Sequence, residues 1–80
     1  MKHIDLLVPK LGMDTTEAVV TTWLVSEGDP VQKGTPMVEL ETEKVNFLVE
    51  SEVEGSVVKI LQTAGAVVPV GGPLAILSTE

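Results

Sequence analysis

The stretch Met37-Val-Glu-Leu-Glu-Thr-Glu-Lys-Val-Asn-Phe-Leu-Val-Glu50 decides how the rest of the chain is read. Apolar and polar residues alternate up to Thr42 and alternate again from Val45, which predicts two strands flanking a short tip. Val38 and Leu40 face one way and Glu39 and Glu41 the other, while Val45, Phe47 and Val49 restore a buried face on the return strand. Tight hairpins usually place Asn-Gly or Asp-Gly where the backbone needs positive φ, but this tip offers Glu43-Lys44. A lysine on an exposed hairpin is ordinarily solubilising surface. A break with turn chemistry, however, marks a candidate functional site, and the chain is arranged symmetrically about this one.

Sliding the sequence against itself aligns residues 17 to 43 on residues 54 to 80 without a gap, at an offset of 37. Ten of the 27 pairs are identical, among them Gly28/Gly65, Gly34/Gly71, Pro36/Pro73 and Leu40/Leu77, where composition alone would give about two or three. Ile4 to Val8 also matches Val45 to Val49 at an offset of 41, which leaves four extra residues in the first half, between Val8 and Glu17. Strands are expected over Ile4–Val8, Ala18–Val25, near Val31, Pro36–Lys44, Val45–Val49, Ser56–Gln62, Val67–Val68 and Leu74–Leu77, with Pro and Gly turns between them. The expected fold is all-β, a flattened barrel or sandwich of two four-stranded antiparallel sheets related by a pseudo-twofold axis. Residues 1–80 form one domain with repeat halves of about 1–43 and 45–80. Val20 to Trp23 and Val57 to Ile60 both break strict alternation, which predicts a bulge in each long strand. Trp23 aligns with Ile60 and is expected in the core.

An 80-residue chain has a core too small to frame a large catalytic cleft. There is no cysteine, hence no disulfide, thiolate metal site or cysteine nucleophile, and the one histidine, His3, sits beside the N-terminus. Twelve acidic residues against five lysines, net charge −7, oppose nucleic acid and anionic membrane as partners. No apolar run has the length of a transmembrane helix or signal peptide, so the expected location is cytoplasmic, or the mitochondrial matrix in a eukaryote. Glu50, Glu52 and Glu54 are expected on one strand face, as a solvated edge rather than a metal site.

Val8-Pro-Lys-Leu-Gly12, Glu17, Trp23-Leu-Val-Ser-Glu-Gly-Asp29, Gly34 and Glu41-Thr-Glu-Lys44, followed by Gly55, Val57, Gly65 and Val68-Pro-Val-Gly71, together resemble the lipoyl domain of dihydrolipoamide acyltransferases of 2-oxo acid or acetoin dehydrogenase complexes. The resemblance spans essentially the whole chain. It implies covalent attachment of lipoic acid to Lys44 and no catalysis by the domain itself, acyl transfer to coenzyme A belonging to a separate acyltransferase domain. The implied partners are a lipoylating enzyme, a thiamine-dependent dehydrogenase component, that acyltransferase domain and a flavin-dependent dihydrolipoamide dehydrogenase. The family most often has Asp before the lysine and Ala after it, where this chain has Glu43 and Val45. Biotin carrier domains of biotin-dependent carboxylases share the fold and place methionine on both sides of their lysine; biotin is the alternative cofactor, and an unmodified adaptor domain the alternative role. The insertion-bearing loop, with Leu11, Gly12, Met13 and Asp14, is expected beside Lys44, where it helps a partner enzyme recognise the domain.

Overall fold

The computed structural model describes residues 2–10 and 15–79. Its strands are β1 (Lys2–Leu7), β2 (Glu17–Trp23), β3 (Pro30–Val31), β4 (Pro36–Glu41), β5 (Asn46–Glu50), β6 (Gly55–Ile60), β7 (Val67–Pro69) and β8 (Pro73–Thr79). They form two antiparallel four-stranded sheets, ordered β1-β8-β6-β3 and β5-β4-β2-β7. Each sheet takes two strands from each half of the sequence, so neither half closes a sheet alone. Among the described residues no helix is long and apolar enough to cross a membrane.

Between the sheets lies one core in which Met37, Val38, Leu40, Leu74, Ala75 and Leu77 are essentially solvent-free. These are three repeat pairs, and the pairing holds in detail. Gly28, Gly34, Gly65 and Gly71 all have positive φ, between 85° and 96°, which is the physical reason the repeat retains glycine at those four turns. The Gly28 amide donates to the Val57 carbonyl and the Gly65 amide to the Val20 carbonyl, both at 2.7 Å. Both anticipated bulges are present, between Val20 and Thr22 and between Val57 and Lys59. A second symmetric pair inserts Met37 and Leu74 where the ladders β4–β5 and β8–β1 shift register. Those two residues are both fully buried.

The structure corrects the alignment of the first strand. The Val8 amide donates to Gly72 and its carbonyl accepts from Gly71, while the Ser51 amide donates to Thr35 and its carbonyl accepts from Gly34. Since 34 and 35 repeat as 71 and 72, Val8 is equivalent to Ser51, an offset of 43 rather than 41. The ladders agree, for Ile4 pairs with Leu77 as Phe47 pairs with Leu40. Eight residues separate Val8 from Glu17 but two separate Ser51 from Glu54, so the loop between β1 and β2 carries six extra residues rather than four.

Other departures are local. Val45 is 48% exposed, because the return strand begins only at Asn46. β2 and β6 stop at Trp23 and Ile60, yet the Leu24 and Leu61 amides still donate to Met37 and Leu74 carbonyls at 2.8 and 2.9 Å. β5 ends at Glu50 and β6 begins at Gly55, so Glu52 and Glu54 project from a connection and not from a shared strand face. Trp23 is half-buried against the core and its indole N–H donates to the Gln62 carbonyl at 2.6 Å. His3 is exposed, but its backbone is held in β1 opposite Ser78.

Candidate functional site: the β4–β5 hairpin tip

Sheet geometry carries Lys44 to one pole of the molecule. β4 and β5 run as a ladder from Val38↔Val49 to Glu41↔Asn46, and Thr42-Glu43-Lys44-Val45 closes it. From Asn46 the chain returns along β5 and reaches Gly55, which pairs with Thr79 beside Lys2. The two ends of the described chain therefore stand at the pole opposite Lys44, in a body 36 Å long and about half as wide (21 × 18 Å).

The turn itself solves the problem that Glu43-Lys44 poses. Among the described residues only glycines have positive φ, so the tip is not one of the mirror-image turns that usually join hairpin strands. Thr42 makes up for this. Its amide donates to the Val45 carbonyl at 2.9 Å, and its hydroxyl donates to the same carbonyl at 3.0 Å. That hydroxyl also accepts from the Val45 amide at 3.2 Å and, at a longer 3.4 Å, from the Lys44 amide. One donor proton and two lone pairs are the full capacity of a hydroxyl. The side chain thus takes the Val45 N–H that the Thr42 carbonyl would receive in an ordinary β-turn.

Glu43, Lys44 and Val45 are all solvent-exposed, while Leu40, two residues before the turn, is fully buried. The tip is thus rigid at its base and open at its apex. An open groove of about 390 Å³ runs beside it, lined by Thr15 to Val19 on one side and Glu41 to Lys44 on the other. The end of the β1–β2 loop, at Thr15 and Thr16, therefore lies against the lysine hairpin. Leu11, Gly12, Met13 and Asp14 lie outside the described residues. Thr42 is the site residue that alternation missed; its signal was a threonine directly before a two-residue tip with no residue suited to positive φ.

Among the described residues no three His, Cys, Asp or Glu side chains gather as a metal site would require. The chemistry available at the tip is that of one primary amine on a four-carbon stem, on an exposed residue that borders the groove.

A family model described as "Biotin-requiring enzyme" matches residues 4–77. Over 68 residues the chain is 43% identical to the dihydrolipoyllysine-residue succinyltransferase component of the 2-oxoglutarate dehydrogenase complex of Rickettsia felis, spanning 85% of this chain and 17% of that protein. It is 46% identical over 70 residues to the dihydrolipoyllysine-residue acetyltransferase component of the pyruvate dehydrogenase complex of Mycobacterium bovis, spanning 88% of this chain and 13% of that one. The chain thus covers less than a fifth of these relatives' length. Among solved structures, the lipoyl domain of the 2-oxoglutarate dehydrogenase complex of Azotobacter vinelandii superposes with a TM-score of 0.78 at 28% identity, over 96% of this chain and 98% of that one. A single-chain, multi-domain long-chain acyl-CoA carboxylase shares the fold, with a TM-score of 0.82 at 23% identity over 98% of this chain and 7% of its own. The chain belongs to the biotinyl/lipoyl-attachment family.

Proposed function

We propose that residues 1–80 form a carrier domain that bears lipoic acid in amide linkage on Lys44 and moves acyl groups and electrons between components of a 2-oxo acid or acetoin dehydrogenase complex. The observation that carries this reading is the placement of Lys44 at the exposed apex of a braced hairpin, at the pole opposite the described ends of the chain. An arm on Nζ is then free to reach successive partners while the rest of a longer protein is tethered at the far pole. The relatives' names favour lipoate over biotin, and Glu43 and Val45 stand where a biotin carrier would have methionines.

The domain's contribution is presentation. An ammonium nitrogen has no free lone pair, so a ligase must remove one proton before Nζ attacks an activated lipoyl carbonyl, and a second proton leaves as the amide forms. The Nζ–C bond forms as the bond to the leaving group breaks. Loss of the lysine charge leaves Glu17, Glu41 and Glu43 around the tip, an acidic surface that suits basic partner sites. When bound, the dithiolane supplies reversible two-electron chemistry and a thiol for acyl transfer. Its partners are the lipoylating enzyme, the thiamine-dependent component, the acyltransferase domain and the flavin-dependent dihydrolipoamide dehydrogenase. Glu43 and Val45 are read by the ligase. Leu11, Gly12, Met13 and Asp14, on the loop whose end reaches the groove, are read by the thiamine-dependent component.

The test is modification of the purified domain by a lipoate ligase with ATP and lipoate, and in parallel by a biotin ligase with ATP and biotin. A single lipoyl increment in intact mass, mapped to Lys44 and lost in Lys44→Gln, is the expected outcome. Because Lys44 is exposed, Lys44→Gln should change stability by no more than about 0.5 kcal/mol. Labelling by the biotin ligase alone, or at Lys2, Lys10, Lys33 or Lys59, overturns the assignment.

A further inference from the structure

We infer that Thr42 is a positioning residue for modification of Lys44, through its hydroxyl rather than its shape. The inference rests on Lys44 being the modified residue, but the structural half of it can be judged separately. Apart from the backbone bond from the Thr42 amide to the Val45 carbonyl, the described bonds that hold the turn are those of this hydroxyl. Glu43 and Lys44 are exposed, lack backbone partners across the hairpin, and have none of the glycine or asparagine that would pre-set a tight turn. All three side-chain hydrogen bonds at the tip converge on one atom, Thr42 Oγ1.

Those bonds act on the reactive residue itself. The Lys44 and Val45 amides both point to the hydroxyl, which fixes the backbone on either side of the Lys44 Cα and so the direction in which its side chain leaves the domain. A modifying enzyme must bring one amine to an activated carbonyl within a narrow range of geometries. A tip that samples many conformers presents the right one only part of the time, and the apparent rate falls by that fraction.

The repeat offers an internal comparison. The equivalent of Thr42 is Thr79, whose hydroxyl donates instead to the Glu54 carbonyl at 3.1 Å, in the connection just before β6. The same residue type therefore ties β8 to the β5–β6 connection at one pole and braces a turn at the other. After Thr42 the chain reverses through Glu43-Lys44, which brings the Lys44 and Val45 amides within reach of its hydroxyl. Threonine as a strand former would serve equally at both places, so propensity does not account for the bonds at the tip.

Two substitutions separate the hydroxyl from the shape. Thr42→Val keeps the β-branch and volume and removes the hydrogen bonds, whereas Thr42→Ser keeps the hydroxyl and loses a methyl. The ligase reaction should slow at least tenfold in kcat/KM for Thr42→Val and return to within about threefold of wild type for Thr42→Ser, with lipoate and ATP saturating; tenfold is about 1.4 kcal/mol in barrier. Amide hydrogen exchange on the unmodified wild-type domain gives a second readout that needs no ligase. The Val45 amide should be protected in wild type and in Thr42→Ser and exchange at the rate of a free loop in Thr42→Val. Equal ligase rates for wild type and Thr42→Val, or slow reaction in both variants, overturn the inference. An unprotected Val45 amide in wild type does so too, even if a variant fails to fold. A wild-type domain that the ligase does not modify, but whose Val45 amide is protected through Thr42, refutes the lipoyl reading and leaves the brace standing.

Discussion

Gly55 offers a test in which sequence and structure disagree. The repeat aligns Gly55 with Ala18, a buried residue of β2, so by sequence Gly55→Ala makes one half resemble the other and should be harmless. The structure says otherwise. A Cβ on Gly55 would overlap the Ser78 carbonyl oxygen, with the Ser78 carbon 2.9 Å and the Thr79 Cα 3.2 Å away. All three are backbone atoms of the central strand β8 and cannot rotate aside. The ladder explains the asymmetry. β6 pairs with β8 through Gly55↔Thr79, whereas β2–β4 stops one pair earlier, at Val19↔Glu41, because the chain after Glu41 turns into the lysine hairpin. Relief in Gly55→Ala requires β6 and β8 to separate at that end. Overpacking costs about 1–3 kcal/mol, and one or two weakened ladder bonds add about 1 kcal/mol each. A total of about 3 kcal/mol corresponds to a fall of about 12–24 °C in Tm for a domain of this size. Calorimetry of wild type and Gly55→Ala measures it. The lesion lies at the pole away from Lys44, so modification of Lys44 well below the variant's Tm should proceed at the wild-type rate. A Tm within about 3 °C of wild type would show that the strands yield freely and would refute the steric argument.

Leu40→Ala and Leu77→Ala each empty an equivalent, fully buried site and should each destabilise by about 2–5 kcal/mol; urea denaturation should place the two costs within about 1 kcal/mol of each other if the twofold governs packing. The double replacement Glu43→Met, Val45→Met alters two exposed side chains and should leave Tm nearly unchanged, while lowering the rate of lipoylation and raising that of biotinylation in competition assays with both ligases; an unchanged lipoylation rate would place the ligase's specificity elsewhere.

Much of this architecture is written in short-range pattern. Alternation about Thr42, together with the 37-residue repeat of Gly28, Gly34 and Pro36, is enough to predict eight strands, two sheets, a bulge in each long strand and an exposed lysine at a hairpin tip. These features are legible because each depends on neighbours in sequence: a face that must be apolar, a turn that must allow positive φ. What pattern could not determine was register. Offsets of 41 and 43 for β1 differ by two residues, and a shift of two keeps every side chain on the same face of its strand. The identities Leu7/Leu48 and Val8/Val49 therefore favoured an alignment that alternation had no power to reject. The bonds of Val8 to Gly71 and Gly72 and the pairing of Ile4 with Leu77, made across the molecule, select the other. The brace at Lys44 and the crowding at Gly55 are of the same kind. Thr42 and Thr79 are one residue type at equivalent repeat positions, and Ala18 and Gly55 are both small. Their different roles arise because β4 runs on into the lysine hairpin while β8 stays paired with β6 as far as Thr79, a distinction that exists only once the sheets have formed.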